Sequence, residues 1–123
     1  MSAELSAILR AQHRDLDRLL GALLDAIQSA DLLRALDAAL TFRDALNAHV
    51  EAEEEGLFPP KTERKLVPGE LRVEHLQVRE LASMIVRQLG EKADLPSAIA
   101  LAGNLAERWR AHTEREEREL YGA

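Results

Sequence analysis

All four histidines of the chain, His13, His49, His75 and His112, lie in segments that are echoed elsewhere in it. Leu9, Arg10, Gln12, His13, Leu16 and Leu19 are matched 62 residues later by Leu71, Arg72, Glu74, His75, Val78 and Leu81. Phe42, Leu46, His49, Glu53, Glu54, Leu57 and Phe58 are matched 63 residues later by Leu105, Trp109, His112, Glu116, Glu117, Leu120 and Tyr121. This is an internal duplication of an αα-hairpin. Each half contributes two imidazoles and one carboxylate, in a His-x-x-x-Glu segment, to a pseudo-symmetric centre. Such a donor set can coordinate metal ions.

Residues four apart on a helix share a face, about 6 Å apart along its axis. His49 and Glu53 therefore point the same way, as do His112 and Glu116. His13 and His75 fall on the apolar stripes of their own helices, so an antiparallel arrangement brings all six groups to one depth. A lone histidine on an apolar face is ordinarily a hydrogen-bonded core residue. Here every histidine recurs at a matched position, beside two carboxylates whose burial without a partner would cost several kcal/mol. A dication removes that cost.

Nitrogen and oxygen donors without thiolates suit Fe, Mn or Zn, and six protein groups are too many for one tetrahedral zinc. The count favours two ions. In the simplest arrangement Glu53 and Glu116 bridge, His13 and His49 serve one ion, and His75 and His112 serve the other, with positions left for water or a small ligand.

The elements that must position these groups are helical. At 123 residues the chain is about one domain long, residues 1–123 forming a single unit with one core. Its apolar residues are mostly Ala and Leu, strong helix formers, and aromatics make up only 3%. The chain has no cysteine, which excludes disulfides, thiolate ligands and a catalytic thiol and is compatible with a reducing compartment. A net charge of −6, with cations scattered among acids, leaves no footprint for nucleic acid or a membrane surface. No apolar run is long enough for a membrane span and no leader pattern opens the chain, so the expected setting is the cytoplasm.

Periodicity predicts helix 1 from Ser2 to Gln28, with Leu5, Leu9, His13, Leu16, Leu20, Leu23 and Ile27 inward. Ser29 or Asp31 can cap helix 2, which ends near Glu55 and turns Leu36, Leu40, Phe42, Leu46, His49 and Glu53 inward. Phe58 to Gly69, rich in proline and locally basic, reads as the joining loop. Helix 3 follows from Gly69 to Leu89, with Leu71, His75, Val78, Ala82, Ile85 and Leu89 inward. Gly90 to Pro96 turns the chain into helix 4, which carries Ile99, Leu105, Trp109, His112 and Glu116 inward. The fold class is all-α, an up-down-up-down four-helix bundle built from two repeated αα-hairpins.

The strings Leu9 to His13, His49-x-x-x-Glu53-Glu54-x-x-Leu57-Phe58-Pro59, Glu74-His75 and His112-x-x-x-Glu116-Glu117 resemble the hemerythrin-like family of cation-binding four-helix bundles. The resemblance spans nearly the whole chain. It implies a non-haem di-iron site with an oxo or hydroxo bridge, able to bind or react with dioxygen, peroxide or nitric oxide, and it carries His13, His49, Glu53, His75 and His112 over as ligands. Two departures matter. Oxygen-carrying hemerythrins supply two histidines four apart on the third helix, whereas Leu71 stands four before His75. One iron thus loses a nitrogen, which favours a redox, sensing or iron-handling role over stable oxygen carriage. In the oxygen carriers the last carboxylate lies five residues after its histidine, which would select Glu117; the internal repeat selects Glu116.

Other polar residues near the pattern read more blandly. Asp17, four after His13, could be a ligand or orient that histidine, but Arg79 holds the matching place, so a charged face is the simpler expectation. Gln12 and Glu74 are either outer partners of the site or solvated. Glu51, Glu54, Glu55, Glu114 and Glu119 read as exposed charges, and Trp109 and Leu46 as core and dry wall. Tyr121, matched to Phe58, is expected beyond the ligand layer, without a radical role.

Three further functions compete with the small-molecule reading. A small di-iron peroxidase or oxygen-reducing enzyme would need acid–base groups outside the ligand set, and none stands out. A regulatory protein would couple metal occupancy to bundle stability and a protein partner. A metal-free interaction module would leave the four-histidine pattern without a purpose.

Overall fold

In the computed structural model, residues 3–57 and 68–121 are described. They form four helices, α1 (Ala3–Gln28), α2 (Leu32–Leu57), α3 (Pro68–Gly90) and α4 (Leu95–Glu119). Helices α1 and α2 pack together, as do α3 and α4, α2 and α3, and α1 and α4, so the four close into a ring. The start of α1 meets the end of α2 through Leu5 and Gly56, and the start of α2 meets the end of α3 through Leu36 and Gly90. Ser6 meets Tyr121 at the end of α4. Neighbours are therefore antiparallel, and the expected up-down-up-down four-helix bundle is what forms. No helix among the described residues is long and apolar enough to cross a membrane. The joining loop expected from Phe58 lies outside the described residues, except that α3 already begins at Pro68.

Duplication extends to the turns. Asp31 and Asp94 cap the second helix of each hairpin, their carboxylates accepting from the backbone N–H of Arg34 and Ser97 at 3.1 Å in both cases. The residues just before them, Ala30 and Ala93, are left-handed, with φ of 56° and 50°. Each hairpin thus closes with a short reversal through a left-handed alanine into an Asp cap, residues 29–31 in the first and 91–94 in the second, the extra residue matching the change of offset from 62 to 63.

The core divides at the ligand layer. Toward the hairpin turns lies a large apolar cluster that includes Leu16, Leu23, Phe42, Leu46, Val78, Ile85, Leu105 and Trp109. At the other end Leu9, Leu71, Leu120 and Tyr121 form a smaller one. Two inward assignments need correction. Ile99 is 54% exposed, and Ala98 and Ala102 take the inward positions on α4. On α2, Leu36 and Leu40 are half-buried flanks, while Ala35 and Ala39 face the core. Counting back seven residues, or two turns, from Phe42 and Leu46, and from Leu105 and Trp109, lands on these alanines. Their small side chains let the helices close together near the turns.

Because a left-handed backbone costs an L-residue roughly 1–2 kcal/mol, part of which glycine's entropy gives back, Ala30→Gly and Ala93→Gly should each stabilise the protein by about 0.5–1 kcal/mol. Denaturant melts check this, and a loss of stability in both variants would contradict it.

Candidate metal centre

The four helices bring His13, His49, Glu53, His75, His112 and Glu116 into one buried layer. Glu53 and Glu116 are 0% exposed, and no histidine exceeds 3%. Two donor sets emerge, His13, His49, Glu53 and Glu116 in one, and Glu53, His75, His112 and Glu116 in the other. Within each set one donor atom per residue lies within 4.8 Å of all the others. Ligands on opposite sides of an ion with bonds of about 2.1 Å are about 4.2 Å apart, so each set has the dimensions of one coordination sphere. The sets share both carboxylates, the geometry that bridging requires.

Distances within the layer are short. His13 Nε2 lies 3.1 Å from Glu116 Oε1, and His75 Nε2 lies 2.8 Å from Glu53 Oε1 and 3.2 Å from Glu116 Oε2. His49 Nε2 is 3.6 Å from Glu53 Oε2, and His112 Nε2 is 2.9 Å from Glu116 Oε2. Neither of the last two contacts has hydrogen-bond geometry, and both nitrogens are buried with no hydrogen-bond partner among the described residues.

Each imidazole is also gripped from outside. Nδ1 of His13 pairs with Glu117 Oε2 at 2.8 Å, that of His49 with Gln12 Oε1 at 2.6 Å, that of His75 with Glu54 Oε2 at 2.8 Å, and that of His112 with Glu74 Oε1 at 2.6 Å. All four outer atoms are acceptors, so Nδ1 carries the proton, and a neutral imidazole aims its Nε2 lone pair into the layer. Four such lone pairs converge on two carboxylates, which also only accept. This electron-rich set, with two orphaned buried nitrogens, fits cations between the groups.

Protons can supply the missing positive charge instead. Burial disfavours the His75 imidazolium, but hydrogen bonds to Glu116 and Glu53 outweigh it and push its pKa up to about 10. Burial likewise opposes charge on His112, and Glu116 and Glu74 push it up to about 9. His13 is raised against burial by Glu116 and Glu117. Glu116, which burial alone would make a weaker acid, is held well below the usual carboxylate range by His112, His13 and His75.

Glu117, which the five-residue spacing would select, instead holds His13 from outside, while Glu116 lies within the layer. Gln12 and Glu74 prove to be outer partners, and Arg115 braces Glu74 from α4. Three expectations are corrected. Glu54 is no idle surface charge: it orients His75, as its repeat-mate Glu117 orients His13, and that correspondence was available in the repeat. Asp17 does not merely lie on a charged face, since it accepts the Trp109 indole N–H at 2.8 Å. Tyr121 is 4% exposed and its hydroxyl reaches the layer, donating to Glu53 Oε2 and lying 2.9 Å from His13 Nε2. Five residues on an ideal helix end about 140° from the Glu116 face. The chain leaves the helix at Leu120, however, and both Leu120 and Tyr121 donate backbone N–H groups to the Glu116 carbonyl, which folds the ring back.

The fold and this layer define a helical bundle built around nitrogen and oxygen donors for cations. Residues 4–123 match the hemerythrin family, described as the hemerythrin HHE cation binding domain, and the chain belongs to that family. No curated protein and no solved structure matches it.

In chelator-treated protein the raised histidine pKa values stabilise the fold fully below pH 6.5, their unfolded value. That contribution shrinks as pH rises and is gone above about 9 for His112 and about 10 for His75. Denaturant midpoints should therefore fall steadily from neutral to alkaline pH, and the fall should be smaller in His75→Gln; a flat profile would contradict this account.

Proposed function

We propose that the chain is a cytoplasmic non-haem di-iron protein that binds or reacts with dioxygen, peroxide or nitric oxide, in a redox, sensing or iron-handling role. The observation that carries this reading is the pair of four-donor sets sharing Glu53 and Glu116. His13 and His49 would hold one ion, His75 and His112 the other, and the two carboxylates would bridge them. Bound iron supplies one-electron redox chemistry and affinity for small diatomic ligands and peroxide; Mn and Zn also suit the donors.

The protein's own part is to fix and dry the layer. Glu54, Glu74, Glu117 and Gln12 lock the imidazole planes, and the apolar clusters on either side exclude water. Low polarity strengthens each interaction between the ions and the two carboxylates. Leu71, where oxygen carriers have a histidine, is 1% exposed and packs in the smaller cluster, so it offers no donor. Four protein donors per ion leave coordination positions for exchange, which favours reactivity over stable oxygen storage.

Metal content by mass spectrometry on untagged protein from iron-replete cells tests the reading. Two irons per chain are expected, lost in His49→Ala, with spectral changes when the anaerobic ferrous protein meets dioxygen, peroxide or nitric oxide. No bound metal, even after anaerobic reconstitution with ferrous iron, would sink it.

Outer partners of metal-bound histidines typically contribute a factor of about 10–100 in affinity. Glu54→Ala and Glu117→Ala should each weaken iron binding by about that factor in competition with a chelator. Glu55→Ala, on the exposed side of the same helix, should leave it unchanged.

A further inference from the structure

Tyr121 breaks the twofold pattern of the ligand layer. Its repeat-mate Phe58 has no oxygen, so the duplication gives only one half a phenol. The hydroxyl touches Glu53 Oε2, to which it donates, and His13 Nε2, 2.9 Å away, and His13 belongs to one donor set only. Neighbouring ligands on an octahedral ion with bonds of about 2.1 Å are about 3 Å apart. The phenol oxygen thus stands at ligand spacing from His13 and closer still to Glu53.

That position is built into the fold. Leu120 and Tyr121 both donate their backbone N–H to the Glu116 carbonyl, at 2.8 and 2.9 Å, tying the ring to the residue that carries one of the shared carboxylates. Ser6 Oγ donates to the Tyr121 carbonyl at 3.3 Å from across the bundle. The ring packs 5.1 Å from the His13 ring and under the Arg10 guanidinium, whose carbon lies 5.8 Å from its centroid. Leu9, Leu71 and Leu120 enclose it. A tyrosine serving only to fill the end of the bundle could turn its hydroxyl to nearby water; this one turns it inward, onto two buried donors.

We propose that the Tyr121 oxygen is a fifth protein donor to the ion held by His13, His49, Glu53 and Glu116. The inference rests on the two-ion reading above. When the ion binds, the oxygen exchanges its proton for the metal, the proton leaves to solvent, and no electron moves. The half-sites then differ. The His13/His49 ion has five protein donors, one of them an added anionic oxygen that favours a trivalent ion. The His75/His112 ion keeps four and is where an exogenous ligand enters.

The test uses the full chain, loaded anaerobically with ferrous iron and oxidised with ferricyanide. Tyr121 is the only tyrosine in the sequence, so any phenolate signal must come from it. A phenolate-to-ferric charge-transfer band in the visible is expected, with resonance-enhanced ring vibrations that shift when the protein carries ring-deuterated tyrosine. Tyr121→Phe should lose the band while retaining two irons. If that variant fails to fold or to load, the isotope shift in the unaltered chain still decides. Two irons without phenolate vibrations would overturn this proposal and leave the di-iron reading intact, as would a band that persists in Tyr121→Phe. No iron at all would overturn both.

Discussion

Two carboxylates, Glu53 and Glu116, are completely buried at the centre of a small helical bundle, and the rest of the structure answers to them. Ionised carboxylates in an apolar interior are costly unless positive charge lies beside them. Among the described residues no lysine or arginine pairs with Glu53 or Glu116; four imidazoles do. Imidazole can meet the demand in two ways, by binding protons or by sharing its lone pair with a cation that the carboxylates also bind. Because the same atoms serve both states, cation binding and the stability of the bundle are one equilibrium. The apolar clusters on either side of the layer amplify this coupling, since they exclude the water that would otherwise screen it.

Orientation of the ligands and docking of the hairpins are likewise a single problem. Gln12 and Glu74 each grip the second histidine of their own hairpin, which fixes the packing of α1 on α2 and of α3 on α4. Glu54 and Glu117 each grip the first histidine of the opposite hairpin. These cross-ties set how one hairpin sits on the other. A slip of one turn would move a carboxylate about 5.4 Å along its helix, pulling it off its histidine and breaking the shared pair at the centre. The pseudo-twofold allows one short sequence pattern, used twice, to satisfy both requirements.

The helices, the bundle topology and the six groups of the layer were legible in the sequence because they depend on periodicity and repetition, which spacing records directly. The inward face was legible where large side chains mark it and misleading where they do not. Ala35, Ala39, Ala98 and Ala102 face the core although Leu36, Leu40 and Ile99 are the more hydrophobic neighbours. The choice there is made by the phase of the helix and the closeness of the partner. Glu54 was hidden for another reason: a glutamate on an acidic stretch looks solvated until the opposite hairpin is in place. Tyr121 was hidden because the chain leaves helical geometry just before it, so its direction cannot be obtained by counting turns.

The halves have also diverged beside the ligands. Trp109 replaces the repeat-mate Leu46 and places its ring 5.5 Å from that of His13, 6.1 Å from that of His112 and 6.2 Å from that of His49. Its indole N–H is satisfied by Asp17 across the α1–α4 seam. The matching seam between α2 and α3 is tied by Arg79 donating to Asn47 at 2.9 Å, which brings no aromatic ring to the layer. Tyr121 adds a second ring against His13, from the opposite side. Both aromatic substitutions thus bear on His13, and the indole touches His112 of the other donor set as well. Duplication alone produces two equivalent donor sets. Setting the Tyr121 phenol against His13 lowers the symmetry of the layer without altering the matched imidazole and carboxylate donors. The donors stay matched while the groups packed on them do not.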